Sequence, residues 1–119
     1  MGKRLVRKRA AEHDLADQVE HIAAEHPAAA RRYLLAVERA FERLREMPEV
    51  GVCRQFRNPS LEGLRMWPVP GFSNFLIFYR VSLRSVQIVR IVHGGQDVPR
   101  VLGSRRTWKR KNTWSSGEG

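Results

Sequence analysis

Cysteine is nearly absent from this sequence, and lysine is confined to its ends. Cys53 stands alone, so no disulfide can form within the chain, and a reducing cytoplasm is its expected home. Lysine occurs only at Lys3, Lys8, Lys109 and Lys111, so the strands expected in the second half carry none and a lysine-based cleft built on them is excluded. Apolar runs are short. None approaches the roughly 20 residues that a membrane-spanning helix needs, so no membrane partner is expected. The opening "MGKRLVRKRA" carries charge with no apolar stretch after it and does not read as a secretory signal. Acids thin out beyond residue 50, where only Glu62, Asp97 and Glu118 remain.

The residues that are present suit one folded domain. The 119 residues are 42% hydrophobic, enough for a packed core. Net charge is +10, and it is unevenly spread. Residues 1–9 carry +5; residues 10–49 hold five arginines against nine acids; residues 50–102 hold seven arginines against two acids. The last seventeen residues add five basic residues against Glu118. Positive potential at both ends and in the second half favours an anionic partner, either nucleic acid or an acidic protein segment.

Periodicity divides the chain. "KRLVRKR" suits an edge strand kept soluble by its cations. "AAEHDLADQVEHIAAEH" sets Leu15, Val19, Ile22 and Ala23 on one helical stripe. Pro27 is well placed to start a second helix, "PAAARRYLLAVERAFERLREM", with a longer stripe of Ala30, Tyr33, Leu34, Val37, Phe41 and Leu44. Pro48 stops it. These two segments predict a helical hairpin. A loop-like stretch, "EVGVCRQFRNPSLEG", follows with at most one extended patch. Then come "LRMWPV", the turn "PGFSN", the β-prone run "FLIFYRV", the connection "SLRS" and a last strand "VQIVRIVH" closed by "GGQD". Alternation along "FLIFYRV" sets Leu76, Phe78 and Arg80 on one face and Phe75, Ile77, Tyr79 and Val81 on the other. The expected fold is α+β in two layers: an N-terminal strand, a helical hairpin, then a three-stranded antiparallel meander. Residues 1–102 form the expected domain. Residues 103–119, which interleave Trp108 and Trp114 with five cations, are the expected tail, with possible nucleic-acid contact through stacking and phosphate neutralisation.

Candidate chemistry centres on the second half. His93 is the one histidine outside the first helix and its end, and hence the ordinary neutral-pH acid or base there. Arg65, Arg80 and Arg90 can clamp a phosphate or carboxylate but stay protonated. A ribonuclease built on His93, Arg65, Arg80 and Arg90 is thinly equipped. The plainer reading is that the His93 ring closes a strand by bonding a backbone group before the glycines turn the chain. His13, Asp17 and His21 recur every fourth residue, a spacing that could ligate zinc, yet they read better as a solvated polar face. "GGQD" is not a phosphate-binding loop, since no suitable helix start is expected after it. No metal and no cofactor are expected.

The element order, with "LRMWPVPGF", "FLIFYR" and "VRIVHGGQD", resembles the RelE/ParE superfamily of type II toxin–antitoxin toxins, over roughly Leu5 to Leu102. Its most specific residues are Leu64-Arg65, Tyr79-Arg80 and His93-Gly94 with Asp97, and the His-Gly turn is more similar to the ParE branch. Gly95-Gln96 stands where that branch commonly has Ala-Arg. The resemblance implies a growth-inhibiting toxin held in check by a cognate antitoxin. For ParE-like toxins it implies poisoning of DNA gyrase, and for RelE-like ones cutting of mRNA on the ribosome. Arg65, Arg80, Arg90, His93 and Asp97 are the expected contacts to target or antitoxin.

Overall fold

The β-prone runs after residue 64 pair as a meander, and the N-terminal strand joins them from the far side. The computed structural model describes residues 3–103. The strands β1 (Arg4–Arg7), β2 (Val52–Cys53), β3 (Arg65–Val69), β4 (Phe72–Val81) and β5 (Ser85–His93) form one sheet in the order β1-β5-β4-β3-β2. Only β1 runs parallel to its neighbour, with Arg4 level with Ser85 and Arg7 level with Ile88. The helices are α1 (Arg9–Ala23), α2 (Pro27–Glu46) and α3 (Val98–Leu102). The expected α+β, two-layer arrangement is what forms. The expected tail, with Trp108 and Trp114, lies outside the described residues.

Strand alternation divides the apolar residues between two cores. Phe75, Ile77 and Tyr79 of β4 face α1 and α2, together with Val86, Ile88 and Ile91 of β5. Phe78 and Val92 face the other way, beneath Leu61, Leu64, Val101 and Leu102. One residue breaks the rhythm of β5: Tyr79 pairs with Ile88 while Phe78 pairs with Arg90, so Val89 bulges out. Strict alternation would have sent residue 90 into the helical core; the bulge delivers Ile91 there and turns Arg90 to the second face.

Three local features differ from the sequence expectation. Leu34 is not core but 36% exposed, because the buried side of α2 runs through Ala30, Tyr33, Val37, Ala40, Phe41 and Leu44. The turn after β3 is shorter than "PGFSN": Val69 pairs with Phe72 across Pro70-Gly71. Gly71 has φ +83°, the left-handed geometry that a proline–glycine turn requires. A short helix, α3, does follow "GGQD", with Pro99 in its first turn.

The upper half of β5 explains why α1 lies where it does. β1 covers the β5 edge only as far as Ile88. Beyond it, the backbone of Ile91 would be an unpaired, buried donor and acceptor, each costly to leave so. Two α1 side chains one helical turn apart replace the missing strand. Asp14 Oδ2 accepts from the Ile91 N–H at 2.9 Å, and Gln18 Nε2 donates to the Ile91 carbonyl at 2.9 Å. Tyr33 of α2 donates its hydroxyl to Gln18 Oε1 at 2.6 Å. Arg90 completes the knot, with Nε 2.7 Å and Nη2 2.9 Å from the Asp14 carboxylate and Nη1 donating to the Val101 carbonyl of α3 at 3.1 Å. Burial pushes the Asp14 carboxyl above its ordinary value, while Arg90 and the Ile91 N–H pull it back.

Asp14→Ala should therefore strand a buried guanidinium and lower stability by about 3–5 kcal/mol in urea unfolding, with the slope unchanged. Adding Arg90→Met should cost less than the sum of the two single changes. A single-variant loss below about 1 kcal/mol would show that the pair holds nothing together.

Candidate functional site

The sequence-predicted site residues do not converge. Arg90 is 3% exposed and committed to Asp14 and α3. Arg65 sits level with Tyr79 and shares its face of the sheet. Its Nη1 donates to the Gly51 carbonyl at 2.8 Å and lies 3.4 Å from that of Glu49. The Tyr79 hydroxyl works on the same loop, donating to the Pro48 carbonyl at 2.7 Å and accepting from the Gly51 N–H at 2.8 Å. Burial raises the phenol's pKa. Arg80, on the opposite face, holds the far end of that loop by donating to the carbonyls of Ser60 and Glu62. Arginine and tyrosine thus gather the backbone carbonyls of a stretch that has only β2 and a single 3-10 turn, Pro59–Leu61, of its own.

His93 lies elsewhere. It pairs with Phe75, four residues along β4 from the Tyr79 that marks Arg65, about 13 Å at the usual strand rise. Its ring meets Phe75 edge-on at 5.1 Å, beside the Tyr33 ring, which lies 4.7 Å from Phe75. The Gly95 N–H donates to His93 Nδ1 at 3.0 Å, and the His93 N–H donates to Gln96 Oε1 at 3.0 Å. The ring closes the strand. Burial lowers its pKa, which favours the neutral imidazole that the Gly95 bond requires. Asp97 is exposed, and its backbone carbonyl accepts from Val101 at the start of α3. The first-helix ladder of His13, Asp17 and His21 forms no metal cluster: among the described residues, no group of three His, Cys, Asp or Glu side chains is placed to hold a metal ion.

A groove does open where the sequence reading placed only a loop. Cys53, Arg54, Gln55, Phe56, Pro59, Glu62 and Gly63 line it, between the β2 edge and the 3-10 turn. The Arg54 guanidinium lies over the Phe56 ring at 5.4 Å, and Phe56 leans on Phe78 of the second core at 6.4 Å. Arg57 beside it is exposed. This is a cation–aromatic surface, able to hold acidic or planar groups but poor in proton carriers. The interleaving in "CRQFRNP" was its only sequence signal.

A sheet backed by a helical hairpin, with its arginines spent on an irregular loop, is a small two-layer α+β domain. The family profile described as the ParE toxin of the type II toxin–antitoxin system parDE matches residues 5–98, and the chain belongs to that family. A solved structure described as a chromosomal ParDE toxin–antitoxin system from P. aeruginosa is similar at 23% identity, with a TM-score of 0.63, covering 76% of this chain and 95% of the other. No curated protein matches the chain. Among the described residues, no helix is long and apolar enough to cross a membrane.

Two outcomes test this geometry. Any Cβ at Gly51 would overlap the Tyr79 hydroxyl and lie 2.7 Å from its Cε1, so Gly51→Ala should lower stability by about 1–3 kcal/mol in thermal or urea unfolding. His93 should titrate in NMR below the ordinary 6.5. The depressed value means that the unfolded chain takes up protons first as pH falls. The contribution of His93 is therefore complete above about 6.5 and lost as pH drops toward the folded pKa. His93→Asn, which keeps an acceptor for Gly95 but cannot titrate, should lose that component of the pH dependence.

Proposed function

We propose that this chain inhibits growth by binding DNA gyrase and trapping it on cleaved DNA, and that a cognate antitoxin neutralises it. Membership of the ParE toxin family supports the gyrase reading. The observation that carries binding over catalysis is the separation of His93 from the arginines: Arg65 lies about 13 Å along the sheet, Arg80 is on the other face, and Arg90 is buried. Cleaving RNA through its 2′-hydroxyl needs a base and an acid on either side of one phosphate. Here a neutral imidazole already accepts a backbone hydrogen bond, far from the cations. The contact surface of this reading is the groove at Arg54 and Phe56 with the exposed Arg57 beside it, together with the half-buried Arg65 and Arg80 that shape its loop, and Asp97 at the opposite end of the sheet. Arg90 acts only through the fold.

Purified protein should block gyrase supercoiling and accumulate cleaved DNA. Arg54→Ala with Arg57→Ala should weaken that effect at least tenfold, about 1.4 kcal/mol, while leaving the unfolding midpoint near wild type. Untouched supercoiling with no cleaved DNA would overturn the gyrase reading. Cuts in translated mRNA that disappear with His93→Ala would replace it with ribosome-dependent cleavage.

A further inference from the structure

The outer side of α2 carries a small apolar patch with an internal symmetry that the fold does not use. Leu34 is 36% exposed and Leu35 50% exposed. Arg31 lies one turn before them and Glu38 one turn after, and these four residues line a shallow surface depression. Arg31 is exposed; Glu38 accepts from Arg7 of β1 through both carboxylate oxygens, at 3.2 and 3.3 Å, and its side chain keeps 46% of its exposure, leaving the outer lone pairs open to a further cation. The pattern of cation, two leucines and anion is centred midway between residues 34 and 35.

We propose that this stripe is the contact of a weak homodimer, in which α2 packs antiparallel against α2 of a second copy. A two-fold axis through the midpoint places Leu34 against the other copy's Leu35. It also brings each Arg31 level with the other copy's Glu38, about 5 Å along the helix from the axis. The surface is its own complement in shape and in charge, the condition an isologous contact must meet. The same register sets Glu42 of one copy beside Pro27 of the other, at the positively polarised start of the helix. Arg32 and Arg39, both exposed, lie roughly 100° round the helix from the stripe's centre and stay on the flanks. A second copy is favoured over an antitoxin segment because the patch carries one charge of each sign, whereas an acidic partner would select cations on both sides. The apolar area falls well short of the roughly 800 Å² per partner of a stable interface, so the dimer is concentration-dependent.

Sedimentation velocity on the full chain, up to about 0.5 mM, should show reversible dimerisation with a dissociation constant in the micromolar-to-millimolar range. Arg31→Glu sets two like-charge pairs across the axis and should weaken association at least tenfold; Leu35→Ser should do the same. Arg31→Glu combined with Glu38→Arg restores opposite charges and should return association to within about threefold of wild type. Circular dichroism and urea midpoints check that each variant folds, since Glu38→Arg alone also disturbs Arg7. A chain that stays monomeric throughout overturns the proposal, as does a swap variant weaker than Arg31→Glu. So does a monomer whose antitoxin binding is loosened by Leu35→Ser, which would make this face the antitoxin's seat.

Discussion

The buried carboxylate of Asp14 is the point on which the architecture turns. A parallel edge strand four residues long cannot cover a nine-residue neighbour, and the exposed remainder of β5 must find partners inside the protein. Asp14 and Gln18 supply them from a helix, Arg90 neutralises the charge so introduced, and its third bond fastens α3. One guanidinium therefore ties α1, β5 and α3 together. Such a pair adds little net stability over an apolar replacement, but half of it is far worse than none. Its value lies in fixing where α1 meets the sheet.

The other sheet arginines follow the same economy on a smaller scale. Residues 48–64 are poor in regular structure, and their carbonyls need donors. Arg65, Tyr79 and Arg80 provide them from the end of the sheet. The guanidinium suits this task because it offers five N–H groups in a plane and never loses its charge. Residues that look from sequence like a ligand clamp are thus engaged in shaping the loop that carries the groove at Arg54 and Phe56.

Much of this was legible in the sequence. The 3.6-residue spacing of Tyr33, Val37, Phe41 and Leu44 and the two-residue alternation of Phe75, Ile77 and Tyr79 located the hairpin, the meander and the core between them, because burial imposes those periods directly. Periodicity could not reveal the bulge at Val89, which shifts the phase of β5 and decides the fate of Arg90. Nor could it reveal that Asp14 and Gln18 are 4% exposed: a polar residue beside an apolar stripe looks solvated until its backbone partner is known. Leu34 errs the other way, an apolar residue at the stripe's margin that the sheet does not reach. The candidate site was the least visible part, since it is assembled by long-range bonds to main-chain carbonyls, which leave no trace in side-chain pattern.

These contacts also sort the positive charge. Arg45, Arg65, Arg80 and Arg90 face partners within the chain, whereas Arg4, Lys8, Arg9, Arg57, Arg84 and Arg100 are exposed. With Arg31, Arg32, Arg39 and Arg43 of α2, which are also exposed, this set is spread over the N-terminal strand, the helices, the β4–β5 hairpin tip and the margin of the groove, so the cations of the described residues are dispersed and not focused into one cleft. A broad positive field speeds encounter with an acidic macromolecule and resists like-charged competitors, but it does not by itself concentrate charge on a single phosphate as phosphoryl chemistry demands. The dispersal of the surface cations and the placement of His93 therefore agree: among the described residues, no cluster of arginines gathers round the one imidazole of the sheet.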